Sequence, residues 1–131
     1  MSDKKAVLYT TVGAFVIGEE EEWNVENNLE KLNDVFYGAV DVVSLRPAMN
    51  GKIGYDAWVK DDAVSTGTAS TYRVNFGDEL DTVVFLPQGK AIVVLAVLED
   101  GTTQPLTHEE ALEVQMNLSV SLWNRGDLNA K

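Results

Sequence analysis

Glu22, Glu26, Glu30 and Asp34 recur every four residues through a segment with helical periodicity. Carboxylates in that pattern suit one kind of chemistry, the electrostatic capture of a basic surface. On a helix, residues four apart stand roughly 5–6 Å from one another, close to the phosphate spacing along a nucleic-acid strand. Such a row would stand in for a phosphate backbone inside another protein's basic groove. Like charges at that spacing also destabilise a helix by roughly 0.2–0.5 kcal/mol per pair, so the row asks for a reason. Lys31 is the one base within the segment. The competing reading is a solvated helix face in an acidic protein.

The other chemically capable residues fit known site patterns less well. His108 is the sole histidine and has Glu109 and Glu110 beside it, which is the raw material for acid–base work near neutrality. However, the chain has no cysteine and no G-x-S-x-G serine, and a first helical residue points to solvent. Asp78, Glu79 and Asp81 are hard oxygen ligands, as are Asp61 and Asp62, but neither set has the acid–glycine–glutamate order of a calcium loop. Ser65-Thr66-Gly67-Thr68 lacks the lysine of a phosphate loop. We therefore expect no catalytic set, no metal site and no cofactor. Trp58 is different: strict alternation places it with Asp56 and Lys60 on the polar face of a strand, where an exposed aromatic marks a binding surface.

Charge points the same way. Twenty-one acids against 10 bases give a formal charge of −11, which repels nucleic acid and anionic membrane surfaces. Direct nucleic-acid binding is disfavoured, and a basic protein, or one that normally grips nucleic acid, is favoured as partner. No run approaches the ~18 apolar residues of a membrane span. Lys4 and Lys5 precede an apolar stretch in the manner of a signal peptide, but Tyr9, Thr10 and Thr11 interrupt it and Glu19 to Glu22 follow. The expectation is a soluble cytoplasmic protein, and the sequon at Asn117-Leu118-Ser119 is read as a mid-helix coincidence.

The elements that must position these residues follow from periodicity. With 131 residues the chain suffices for one domain with its own core. Residues 6–17 read as a long strand or a hairpin broken near Gly13. Residues 22–37 read as a helix with Val25, Leu29, Leu32 and Phe36 inward and Gly38 as its C-cap. Residues 39–45 form a strand, followed by an Asn50-Gly51 turn. Ile53, Tyr55, Ala57 and Val59 share one face of the next strand. Residues 61–71 read as a loop, and Tyr72 to Phe76 as a strand. Val83–Leu86 and Ala91–Leu98 are nearly continuous apolar runs, expected to pair through Pro87-Gln88-Gly89 as a central hairpin buried on both faces. Thr107 and Glu110 make a capping box for a second helix to about Trp123, with either Leu112, Met116 and Trp123 or Leu118 and Leu122 as core contacts and Gly126 as its stop. The fold class is α+β: a single domain over residues 1–131, with a mixed or antiparallel sheet of five to seven strands and two helices. Two helices would cover the sheet; one helix and a second copy of the chain, as a homodimer, is the other solution.

Asn28-Leu29-Glu30-Lys31-Leu32, followed by Tyr37-Gly38-Ala39-Val40-Asp41-Val42-Val43, resembles the leucine helix, glycine and strand unit of small phage and bacterial proteins of the DUF3846 type. Tyr55 to Val59, Asn75, Val83 to Leu86 and Pro105 to Glu110 are similar to later parts of that pattern, so the resemblance spans roughly residues 25–115. The acidic N-terminal part and the 61–71 loop depart from it. The resemblance implies a small accessory protein, encoded by a phage, and brings no catalytic or ligand residues with it. The expected function is thus a non-enzymatic interaction protein that binds and modulates a host protein through Glu22, Glu26, Glu30, Asp34 and Trp58. The alternatives are a small-ligand or nucleotide-binding domain using the 61–71 loop and Asp78–Asp81, and a minor virion structural protein.

Overall fold

The structure, a computed structural model, describes residues 4–61 and 70–123. β1 (Lys5–Val12) and β2 (Phe15–Glu22) pair antiparallel, with Val12 opposite Phe15 across a Gly13-Ala14 turn. Gly13 has φ 60°, as the first position of a type II′ turn requires. Of the two readings, a long strand or a hairpin broken near Gly13, the hairpin is the one that forms, and β2 continues through the glutamates to Glu22. Cross-strand pairing holds them there: Glu19 to Glu22 stand opposite Leu8 to Lys5, and Trp23 N–H donates to the Lys4 carbonyl at 2.9 Å.

The first helix is consequently shorter than its periodicity suggests. α1 (Asn28–Phe36) has nine residues, and Asn27 caps it by accepting from the Glu30 backbone N–H at 3.1 Å. Leu32 and Phe36 are buried, Val25 packs in from the preceding loop, and Leu29 is 54% exposed. The left-handed residue that ends α1 is Tyr37 (φ 56°) rather than Gly38. Lys60 Nζ donates to the Phe36 carbonyl at 2.8 Å, tying the helix end to the sheet.

β3 (Val40–Arg46) and β4 (Gly54–Lys60) follow, joined through the Asn50-Gly51 turn, where both residues have positive φ as a type I′ turn demands. Tyr55, Ala57 and Val59 are buried together, as alternation foretells. Then come β5 (Ser70–Phe76), β6 (Leu80–Leu86), β7 (Gly89–Val97), β8 (Thr103–Gln104), α2 (His108–Asn117) and β9 (Leu118–Leu122). Most of the 61–71 loop lies outside the described residues, as does Gly126.

Two antiparallel sheets result. One runs β2-β1-β7-β4-β3, with β8 beside β7, and has six strands; the other runs β6-β5-β9. The α+β class with two helices holds, and the six-stranded sheet falls within the expected range. Two expectations fail. β6 and β7 do not pair, because Pro87, which has no N–H for a ladder, starts a corner that takes the chain from one sheet to the other. β7 is central and buried on both faces, flanked by β1 and β4, whereas β6 is the edge of the small sheet, with Phe85 52% exposed. The second helix also stops at Asn117. Leu118, Val120 and Leu122 alternate with serines and pair with β5 as β9. Ala111 and Val114 are its buried contacts, while Leu112 and Met116 face out.

The layers are therefore α1, the six-stranded sheet, and a third layer made of the small sheet plus α2. Tyr55, Ile92, Val94 and Tyr72 belong to the core between the two sheets. Ala6, Leu8, Trp23, Leu32, Phe36, Val93 and Leu95 form a second, smaller core beneath α1. Among the described residues no helix is long and apolar enough to cross a membrane.

Candidate partner-binding surface

The row of four carboxylates at helical spacing does not exist as expected. Glu22 ends a strand, and its Oε1 accepts from Lys5 Nζ at 2.7 Å. That hydrogen bond and the lysine's charge hold its carboxyl below the usual glutamate range. Glu26 lies in the loop before the cap. Only Glu30 and Asp34 are on α1, one turn apart. Chain reversal at Trp23 to Asn27 still gathers three of the four: Glu26, Glu30 and Asp34 line one open hollow of about 300 Å³ with Val25, Asn27 and Lys31. None of the three makes an ion pair among the described residues. Lys31 sits 6.0 Å from the centre of the Trp23 ring.

Trp58 is not an exposed aromatic. It sits half-buried on the α1 side of β4, against the smaller core, and its Nε1 is buried without a hydrogen-bond partner. One side of the indole lines a neighbouring hollow of about 380 Å³ with Glu26, Asn27, Asn28, Leu29, Leu32 and Thr103. Asn28 fixes that corner, accepting from Trp23 Nε1 at 2.8 Å and donating to the Thr103 carbonyl at 3.0 Å. Glu26 is thus shared by an acidic hollow and one that contains Trp58, and Glu22 belongs to neither.

The less favoured candidates have structural employment. His108 Nδ1 lies 2.7 Å from Glu20 Oε1, so the histidine links the start of α2 to β2 instead of standing free. Arg73 donates twice to the Asp81 carboxylate, at 2.9 and 2.7 Å, which lowers that group's pKa. Among the described residues no three His, Cys, Asp or Glu side chains are placed to hold a metal ion.

Glu19 and Glu21 were missed by reading residues 22–37 as helix. They pair with Leu8 and Ala6, which belong to the core beneath α1, so their side chains share the α1 side of the sheet with Glu26, Glu30 and Asp34. The signal was present: continued in phase from Phe15 and Ile17, a period of two puts both glutamates on that face. No family model, curated protein or solved structure matches the chain.

Proposed function

We propose that the protein is a small acidic interaction factor that captures a basic protein through the α1 side of its six-stranded sheet and does no chemistry of its own. The observation that carries this is the convergence of Glu26, Glu30 and Asp34 on one open hollow in a chain of charge −11. Carboxylates without cationic partners keep their full field for an incoming lysine or arginine, whereas those already paired, such as Glu22, have spent much of theirs. The resemblance to DUF3846-type proteins supports the setting, a phage accessory factor acting on a protein in the host cytoplasm. Within that reading the carboxylates occupy a groove that otherwise holds nucleic acid; the loss of the regular four-residue ladder leaves charge, not spacing, as the basis of the mimicry.

Affinity capture of the tagged protein from host cytoplasm, followed by mass spectrometry, tests the reading. The triple variant Glu26→Lys, Glu30→Lys, Asp34→Lys should lose the captured protein, and Glu22→Lys alone should lose less. Added duplex DNA should displace the partner if it is a nucleic-acid-binding protein. Capture undiminished in the triple variant would sink the proposal.

A further inference from the structure

The hairpin of β1 and β2 carries the most exposed apolar strip on the α1 side of the sheet. Val12, Phe15 and Ile17 are 56%, 76% and 51% exposed. The alternation that puts Ala6 and Leu8 beneath α1 puts Val12 and its partner Phe15 on the same face, along with Thr10 and its partner Ile17. α1 packs mainly on β7, β4 and β3, and Val12, Phe15 and Ile17 are left more than half exposed. Along β2 the outward series is Phe15, Ile17, Glu19, Glu21: two apolar positions, then two acids, on one face of one strand.

The tip is also held rigidly from below. Gly13 N–H donates to Gln88 Oε1 at 2.7 Å, and the Gly13 carbonyl accepts from Tyr72 Oη at 2.9 Å. Gln88 Nε2 closes the loop by donating to the same Tyr72 oxygen at 2.9 Å. The fully buried Tyr72 thus fixes the backbone that presents Val12 and Phe15. Exposed apolar residues on a pre-organised backbone dock a partner with little further ordering cost.

Charge selects the occupant. Lys90 stands opposite Thr10 at the apolar end of the strip, and Glu19 and Glu21 stand at the other, without ion pairs among the described residues. We infer that this strip docks a protein segment that sets an apolar anchor on Val12, Phe15 and Ile17 and carries lysine or arginine over Glu19 and Glu21. The inference rests on the basic-partner reading above and gives it an orientation and an apolar anchor. A second copy of the chain fits poorly, since it would bring a further charge of −11 to the same face.

The probe is a short block peptide, leucines followed by lysines, compared with a lysine-only peptide of equal charge, both titrated into isotopically labelled protein and followed by NMR. The block peptide should bind about tenfold more tightly, the worth of one well-buried apolar anchor, and should shift the amides of residues 12–21. The Phe15→Ser, Ile17→Ser variant should erase the difference; both side chains are mostly in solvent, so the fold should survive. Glu19→Gln, Glu21→Gln should weaken both peptides and leave the preference for leucine intact. Equal affinities with shifts confined to residues 26–34 would overturn this inference while leaving the basic-partner reading in place. No binding of either peptide would count against both. Concentration-dependent dimerisation in sedimentation that Phe15→Ser abolishes would assign the strip to a second copy and overturn the inference as well.

Discussion

The two faces of the six-stranded sheet are built from the same kind of alternating strand but are covered very differently. The face beneath the small sheet and α2 is sealed: Tyr55 and Tyr72 are fully buried there, and the Tyr55 ring packs 5.7 Å from that of Phe76, centre to centre, with Arg46 stacked on it at 4.6 Å. The opposite face has a nine-residue helix as its cover, and beyond that cover lie Phe15, Ile17 and a run of acids. The larger core lies on the first face, and the second keeps apolar and charged groups exposed. The binding role proposed above would gain from this division, because a surface on the second face can be left exposed without weakening the main core.

Truncating a large side chain on each face should separate the two most strongly. Tyr55→Ala should cost about 4 kcal/mol in urea unfolding, since it removes a fully buried ring and leaves Glu113, which its hydroxyl contacts, without that partner. Leu32→Ala should cost less, about 2–3 kcal/mol, because the hollow beside Leu32 and Trp58 lets water or neighbouring side chains take up the space. If Leu32→Ala proved the more damaging of the two, the α1 face would be the principal core.

A smaller effect is expected at the hairpin tip. Gln88→Ala removes one partner each from Gly13 N–H, which lies exposed to water, and from Tyr72 Oη, which keeps its bond to the Gly13 carbonyl, at a cost of about 0.5–1.5 kcal/mol. Amide exchange at residues 12–15 should quicken while that of β7 stays slow. Equal protection in variant and parent would mean that the tip is held by its turn alone.

Much of this fold was legible in the sequence, and the failures have physical causes. The β1–β2 hairpin, the alternation of β4, the double burial of β7 and the Thr107–Glu110 capping box were each encoded locally, by a turn glycine, a period of two, an unbroken apolar run or a cap. Apolar spacing does not fix the limits of α1, because Val25, Leu29, Leu32 and Phe36 keep helical spacing whether or not the first of them lies on the helix. Asn27, followed three residues later by Glu30, was the cap signal that should have set the boundary. β9 was readable too, in the alternation of Leu118, Val120 and Leu122 with two serines. What no local pattern carries is which sheet an apolar strand joins: β6 and β7 look alike as sequences, and the long ladders that flank β7 come from β1 and β4, far away in the chain. The acidic surface was legible as composition but not as geometry, since its members come from a strand, a loop and a helix.

Asp56 tests the α1 face through pH. It lies half-buried on that side of β4, and burial raises its carboxyl above the usual aspartate range. The folded state therefore binds this proton more tightly than the unfolded chain does, so its contribution to stability falls as pH rises from the unfolded pKa through the folded one. Asp56→Asn should stabilise the protein at neutral pH, and the advantage should shrink as pH is lowered through that window. Glu22 and Asp81, whose carboxyls are lowered by Lys5 and Arg73, work in the opposite sense and lose their contribution as pH falls through their folded values. An Asp56→Asn advantage that stayed constant with pH would mean that the aspartate's charge is not the cause.

The smallest effect expected is at Asp34, where stability and recognition pull apart. Asp34 lies in the last turn of α1, at the negative end of the helix dipole, one turn after Glu30 and with no base in that turn. Both neighbours disfavour a carboxylate there, so Asp34→Lys should raise the stability of the free protein by about 0.3–1 kcal/mol at low salt. That gain should fade as added salt screens an exposed charge. The same substitution reverses one of the three negative charges around the acidic hollow and should weaken the capture of a basic partner, most at low salt. Stability and binding would then move in opposite directions under one change, as expected if Asp34 serves the surface at the expense of the helix. If Asp34→Lys raised stability and left capture intact, the α1 acids would be ordinary solvated charges, and recognition would have to rest on the Phe15–Glu21 strip alone.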